Sequence, residues 1–185
     1  MQAAAIRTLR PVPNPPGELE TLFRAHSDRV FRTAHRITGS AADAEDVLQT
    51  IFLRLAKSQE KLDLSPNAEA YLSRAAINAS LDLMRSRSRA KSVGLDEEAG
   101  SIESPVRNPE AQHVDRELQK LIRQAVARLG ATAGEMFVLR YYEGYENHEI
   151  ASMLGKSPLV VGVVLHRART KLRKEIGHYL EKHHE

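Results

Sequence analysis

Apolar residues recur at three- and four-residue spacing along almost the whole chain, and no stretch alternates apolar with polar residues as a half-buried strand would. That periodicity confines the fold to packed α-helices. Residues 19–37 carry Leu19, Leu22, Phe23, Val30, Phe31, Ala34 and Ile37, which suits one amphipathic helix or two abutting ones, and Gly39 and Ser40 then punctuate the chain. Further helices are predicted at Ala42–Ser58, Ala68–Arg89, Val114–Leu129, Ala133–Tyr142, Glu146–Leu154 and Pro158–Ile176. Residues 90–113 lose the periodicity and gather Gly, Ser, Pro and acid, as a flexible linker does. The expected architecture is therefore all-α: two small helical domains at residues 18–89 and 114–176, joined by a flexible acidic linker. Residues 1–17, broken by four prolines, read as a disordered leader, and residues 177–185 as a tail.

Composition narrows the function classes. Hydrophobic content of 42% is enough for a packed core. No window approaches the roughly 18 consecutive apolar residues needed to span a bilayer, so no membrane insertion is expected. Without cysteine there is no disulfide framework and no thiolate metal site, which fits a reducing cytoplasmic location. The net charge is only +3, but its distribution is uneven. Basic clusters stand at Arg85–Lys91 and Arg167–Lys174, with Asp96, Glu97, Glu98 and Glu103 between them. Two basic ends around an acidic connector fit two contacts with a polyanion, or simply two solvated faces.

Enzyme signatures fail on inspection. His148-Glu149 begins a zinc-protease pattern, but position 152 is Ser where the second histidine is needed. There is no glycine-rich phosphate loop, Glu45 and Asp46 diverge on their helix, and His183 and His184 sit in the tail without further ligands. No catalytic, metal or cofactor site is expected.

On the predicted helix Ala42–Ser58, Val47, Leu48, Ile51, Phe52 and Leu55 share a broad core face. Asp46, Gln49, Thr50 and Leu53 share the other. A leucine among polar residues is either an incidental exposed side chain or the centre of a docking surface.

The stretch ADAEDVLQTIFLRL resembles the AED-x-x-Q-x-x-F-x-R-L pattern of region 2 in bacterial RNA polymerase sigma factors of the sigma-70 superfamily, nearest to the extracytoplasmic-function group. The resemblance continues through AYLSRAAINASLDLMRSRSR, where Tyr71 stands in place of the usual Trp. It resumes at LGATAGEMFVLRYYEGYENHEIASMLG, which is similar to region 4. Such a protein binds core RNA polymerase and promoter DNA and directs initiation. The resemblance implies polymerase contacts at Asp46, Gln49 and Leu53, with Glu45 and Arg54 at their edge. It implies contacts to the minus-ten strand at Tyr71, Arg74, Asn78, Arg85, Arg87 and Arg89, following the loop Ser58–Asn67. Tyr71 either stacks on a base or packs into the core. The arginines would supply affinity and salt dependence rather than sequence choice. Asp82 reads as a structural hydrogen-bond acceptor. The acidic linker either occupies a path through the polymerase cleft or is a solvated tether.

The second domain ends in a helix-turn-helix pattern. Gly155-Lys156-Ser157 makes the turn, Ser157 is a good N-cap, and Pro158 fits the first helical position. Val161, Leu165, Ala168 and Leu172 form the core stripe, while Leu159, Gly162, Val163, His166, Thr170 and Arg173 face outward. The family pattern has Lys, Ser and Arg where this chain has Gly162, Val163 and Val164. DNA contacts implied for this domain are Ser157, His166, Arg167, Arg169, Thr170, Lys171 and Arg173. Three readings of the apolar face stay open. It meets thymine methyls, or upstream binding is weak, or the Leu159–Val163 patch binds a protein such as an anti-sigma factor, making region 4 mainly an interaction module.

Overall fold

The computed structural model describes residues 17–57, 68–92 and 109–183. The expectations for the leader, the loop Ser58–Asn67 and the linker at residues 93–108 lie outside them. Among the described residues there are seven helices and no strand: α1 (Glu18–Thr38), α2 (Ala41–Lys57), α3 (Ala68–Ser92), α4 (Pro109–Ala127), α5 (Ala131–Tyr141), α6 (Asn147–Leu154) and α7 (Pro158–His183).

Residues 18–38 form one helix rather than two. Its end is set by Gly39, which takes the left-handed conformation at φ 73° while its N–H bonds the His35 carbonyl. Ser40 then starts α2, its hydroxyl accepting the Asp43 N–H at 3.3 Å. The helices α1–α3 close on Val30, Ala34, Ala44, Val47, Ile51, Phe52, Leu72 and Ala76. Phe23 meets Phe52 edge-on at 4.9 Å between ring centres.

In the second domain, α6 and α7 meet at 108°, within the range of a helix-turn-helix. Glu146 and Glu149 form a capping box at the start of α6, and Gly155, at φ 60°, ends it. Ser157 Oγ accepts the Val160 N–H at 3.3 Å, and α7 begins at Pro158. Val161, Leu165, Ala168 and Leu172 are all buried, as their spacing predicts.

Three helices outrun the sequence prediction. The α3 helix continues to Ser92, and α4 starts at Pro109, a residue suited to a first helical position. The α7 helix runs past Ile176 to His183, within the expected tail. Gly177 costs about 1 kcal/mol against Ala in a helix interior, which weakens α7 without stopping it.

The two domains are not separate bodies. Ile37, Ile77 and Leu81 of the first lie in one buried cluster with Val126, Met136, Leu139, Ile150 and Val161 of the second. The α3 helix makes this possible because it is apolar on two sides. Leu72 and Ala76 face the first core. Ile77 and Leu81, five residues further on respectively, stand roughly 140° around the helix and face the second. Gly134 lets α5 come close: a Cβ there would stand 3.1 Å from Leu81 Cδ1 and 3.3 Å from Arg85 Nη2.

Candidate nucleic-acid and partner interfaces

The core side of α2 buries Asp43, Ala44, Val47, Ile51 and Phe52. That packing turns Glu45, Asp46, Gln49, Leu53 and Arg54 outward, and all five are exposed. Leu53 keeps 56% of its surface in solvent, a large apolar side chain in the middle of a charged and amide-bearing face. Such a face suits a protein contact with an apolar centre and a polar rim.

Between α2 and α3 lies a groove of about 400 Å³, lined by Asp46, Thr50, Arg54, Tyr71, Asn78 and Asp82 among others. It joins the exposed face of α2 to the polar side of α3. Tyr71 lines this groove and is 41% exposed, so its ring is outside the core and open to stacking. Asp82 accepts from Arg85 Nη1 at 2.8 Å.

Arg74, Arg85 and Arg87 of α3 are engaged within the chain. Arg74 donates from Nε to Glu135 Oε1 at 2.8 Å and from Nη1 to the Met153 carbonyl at 3.0 Å. Asn78 Nδ2 donates to the same Glu135 oxygen at 3.2 Å. Arg85 Nε donates to the Ala127 carbonyl at 2.9 Å. All of these acceptors belong to the second domain. Arg87 instead pairs with Asp43, a buried carboxylate at the start of α2. Arg89 is exposed.

A second set of contacts links α1 to the segment after α5. Thr33 Oγ1 donates to Glu143 Oε1 at 3.1 Å, Arg36 pairs with the same carboxylate at 3.3 Å and with the Tyr142 carbonyl, and Arg29 Nη2 donates to the Tyr145 hydroxyl at 3.0 Å. Nearby, burial lowers the proton affinity of the Arg123 guanidinium, an effect the facing Tyr142 opposes. Burial likewise raises the Tyr142 phenol, against the pull of Arg123.

Sequence reasoning missed Glu135 and Glu143. The available signals were an acid inside the apolar run GEMFVL and the polar stripe Arg29, Thr33, Arg36 at helical spacing on α1.

On α7, His166, Arg167, Arg169, Thr170, Lys171 and Arg173 are exposed, as is Ser157. Some already have tasks. The Ser157 hydroxyl caps α7, Thr170 Oγ1 donates to the His166 carbonyl at 3.0 Å, and Lys171 Nζ donates to the Arg128 carbonyl at 3.1 Å. Leu159 is 77% exposed, with Val160 at 44% and Val163 at 42% beside it. Val164 differs from the expectation that grouped it with Gly162 and Val163, because it packs against the core. The exposed side of α7 is thus apolar at its N-terminal end and basic further along.

Among the described residues, no group of three or more His, Cys, Asp or Glu side chains could hold a metal, and no single helix is long and apolar enough to cross a membrane.

Two family models match the chain: sigma-70 region 2 over residues 22–90 and sigma-70 region 4 over residues 119–172. The chain is 33% identical to the ECF RNA polymerase sigma factor SigE of Mycolicibacterium smegmatis over 165 residues, covering 89% of this chain and 62% of that one. It is 32% identical to the RNA polymerase sigma-E factor of Streptomyces coelicolor over 159 residues, 86% of each. Among solved structures, the sigma factor RpoE in its complex with the anti-sigma factor NepR from Bartonella quintana shares the fold. Its TM-score is 0.52 at 19% identity, over 86% of this chain and 97% of that one.

Proposed function

Because the chain belongs to the extracytoplasmic-function group of sigma-70 RNA polymerase sigma factors, which bind core polymerase and direct it to promoters, we propose a specific division of labour among its surfaces. The exposed face of α2, from Glu45 to Arg54 around Leu53, docks on core polymerase. The polar side of α3 then holds the unpaired minus-ten strand, with Tyr71 stacking on a base, Asn78 hydrogen-bonding and Arg74, Arg85, Arg87 and Arg89 supplying cationic groups. The observation that carries this reading is the groove that runs from Asp46 and Arg54 on the docking face to Tyr71 and Asn78 on the strand-binding side. Protein and DNA contacts would meet there without a gap. The work is done in the cytoplasm, where polymerase and promoter are, and needs no catalytic group on this chain.

Upstream recognition is weakened in this proposal. A bidentate Arg or Lys contact to guanine contributes about 1–3 kcal/mol of discrimination. Gly162 and Val163 offer no such donor at the N-terminal end of α7, leaving His166, Arg167, Arg169 and Arg173 to hold phosphates. The 77% exposure of Leu159, continuous with Val160 and Val163, also supports a second reading in which this end of α7 binds a protein such as an anti-sigma factor.

Reconstitution with core polymerase, followed by transcription from a promoter library, tests the proposal. Initiation that depends on the minus-ten sequence and tolerates changes in the upstream hexamer is expected. Failure to bind core polymerase refutes it.

A further inference from the structure

A second cleft, of about 340 Å³, opens where the end of α1 meets α4 and α5. Its lining is Arg36 from α1, Gln119, Ile122 and Arg123 from α4, and Tyr141 and Tyr142 at the end of α5. None of these residues belongs to the surfaces assigned above to polymerase or DNA. The lining has two guanidiniums, two phenols and an amide, and no carboxylate. Arg123 is half-buried, yet among the described residues no hydrogen bond or ion pair engages its guanidinium. A cation taken partly out of water without a counter-charge costs stability, and burial accordingly lowers its proton affinity. Its place over Gly39, at the negative end of α1, offsets part of that cost but supplies no ion pair. The neighbouring charges are already matched. Arg36 uses Nη1 on Glu143 and on the Tyr142 carbonyl, which leaves its Nε and Nη2 able to donate. Glu143 also takes the Thr33 hydroxyl. One positive charge is therefore left over in the cleft. The Tyr142 phenol, raised by burial, stays protonated at neutral pH and offers a donor. The Tyr141 ring rests on Phe137, 4.6 Å between centres, and the residue still keeps 44% of its surface in solvent.

We propose that this cleft binds a nucleoside monophosphate, with its phosphate on Arg123 and Arg36 and its base against Tyr141. A guanidinium fork matches a phosphate, and a supported, open ring matches a base. Gln119 offers both a donor and an acceptor to the sugar or the base edge. The volume falls within the roughly 300–1,000 Å³ of small-molecule sites. A simple inorganic anion leaves Tyr141 unused, and an uncharged ring leaves Arg123 unmatched. The ligand touches α1 on one side and α4 and α5 on the other, so it is held by both domains at once.

Isothermal titration of the full chain tests this, with adenosine and guanosine 5′-monophosphate as probes. Adenosine and inorganic phosphate serve as the two half-ligands. One site per chain is expected, with the monophosphates binding about tenfold or more tightly than either half. They should also raise the thermal midpoint, since they bind only the folded chain. Arg123→Gln and Tyr141→Ala are each expected to weaken binding about tenfold, and Tyr141→Phe, which keeps the ring, to recover most of the loss. Arg24→Gln removes a positive charge from the exposed first half of α1 and should change nothing. Where Arg123→Gln loses helical signal, Tyr141→Ala on its exposed ring decides. No heat with either monophosphate overturns the proposal. Inorganic phosphate binding as tightly as the monophosphates overturns it too, by making the cleft a simple anion site. Equal weakening by Arg24→Gln does the same, by making the attraction diffuse. Arg123-dependent binding of a mixed-sequence 12-nucleotide single-stranded DNA, without binding of the monophosphates, would give the cleft to a DNA backbone instead.

Discussion

The guanidinium of Arg123, from the second domain, lies over Gly39 at the end of α1, so close that a Cβ on Gly39 would stand 2.6 Å from its central carbon. Gly39 is thus held by two independent demands, the left-handed φ of 73° that ends the helix and the approach of another domain. Gly39→Ala should destabilise the chain by about 1–2 kcal/mol from the backbone alone, and further by displacing Arg123. Gly144→Ala is the matched control, since Gly144 has φ 82° but nothing within 4 Å of its Cβ position. In thermal melts, Gly39→Ala should lower the midpoint more than Gly144→Ala does. Equal shifts would mean that the Arg123 contact contributes nothing.

The shared core predicts how the molecule unfolds. Leu81 is fully buried against the second domain and Leu72 against the first, on opposite sides of one helix. Leu81→Ala should cost about 2–5 kcal/mol and should loosen both halves together. Denaturant unfolding followed by circular dichroism should show one transition for the wild type. Two separated transitions in the Leu81→Ala variant, with the first domain unshifted, would indicate that the domains are stable alone.

The proposed docking role of the exposed α2 face can be tested without disturbing the fold. Leu53 is 56% exposed, so Leu53→Asp should change stability by no more than about 0.5 kcal/mol. Binding to core polymerase should fall at least tenfold, and Asp46→Ala combined with Gln49→Ala should do the same with an unaltered helical spectrum. Intact affinity in these variants would identify Leu53 as an incidental exposed leucine.

Periodicity made the helices readable, because each buries a stripe that spacing alone reveals. The core stripe Val161, Leu165, Ala168 and Leu172 and the cap at Ser157 are examples where local chemistry suffices. The α2 face was also legible, since packing Val47, Ile51 and Phe52 inward leaves only one orientation for Asp46, Gln49 and Leu53. The interdomain contacts were not. Arg74 and Glu135 are 61 residues apart, and nothing in the spacing of either helix says which arginine will meet which carboxylate. One trace was present: α3 carries apolar residues on two sides, more than a three-helix bundle needs. The ends of α3, α4 and α7 were misplaced because weak signals such as Gly177 do not stop a helix.

Salt dependence separates the basic residues of α7 by task. Arg169 and Arg173 are exposed, whereas Lys171 donates to the Arg128 carbonyl at the end of α4. Each arginine that meets a phosphate should contribute about 0.9 to the slope of log affinity against log salt for duplex DNA. Arg169→Ala and Arg173→Ala should therefore each flatten the slope by about that amount. Lys171→Ala should change it less and lower thermal stability instead. Measuring binding of the holoenzyme to upstream duplex between low and high salt gives the slopes, and an equal flattening by Lys171→Ala would assign it to DNA as well.

The apolar start of α7 gives the sharpest test of upstream recognition. A Cβ on Gly162 would meet only Asn147 Nδ2, at 3.8 Å, so the position has room for a side chain. Val163 is 42% exposed and packs little, while Val164 contributes to the core and has to stay. Gly162→Lys with Val163→Ser therefore restores polar donors without opening a cavity, and replacing Gly within a helix favours the fold by up to about 1 kcal/mol. If the missing donors are the cause of weak upstream reading, the double variant should bind upstream duplex roughly 5- to 150-fold more tightly, the equivalent of about 1–3 kcal/mol. Part of any gain will come from the added positive charge, so the comparison that matters is between specific and scrambled hexamers at one salt concentration. A gain shared equally by both would be electrostatic and would leave the apolar surface of Leu159, Val160 and Val163 to a protein partner. A gain confined to the specific hexamer would place upstream reading on this helix and assign its weakness to two residues.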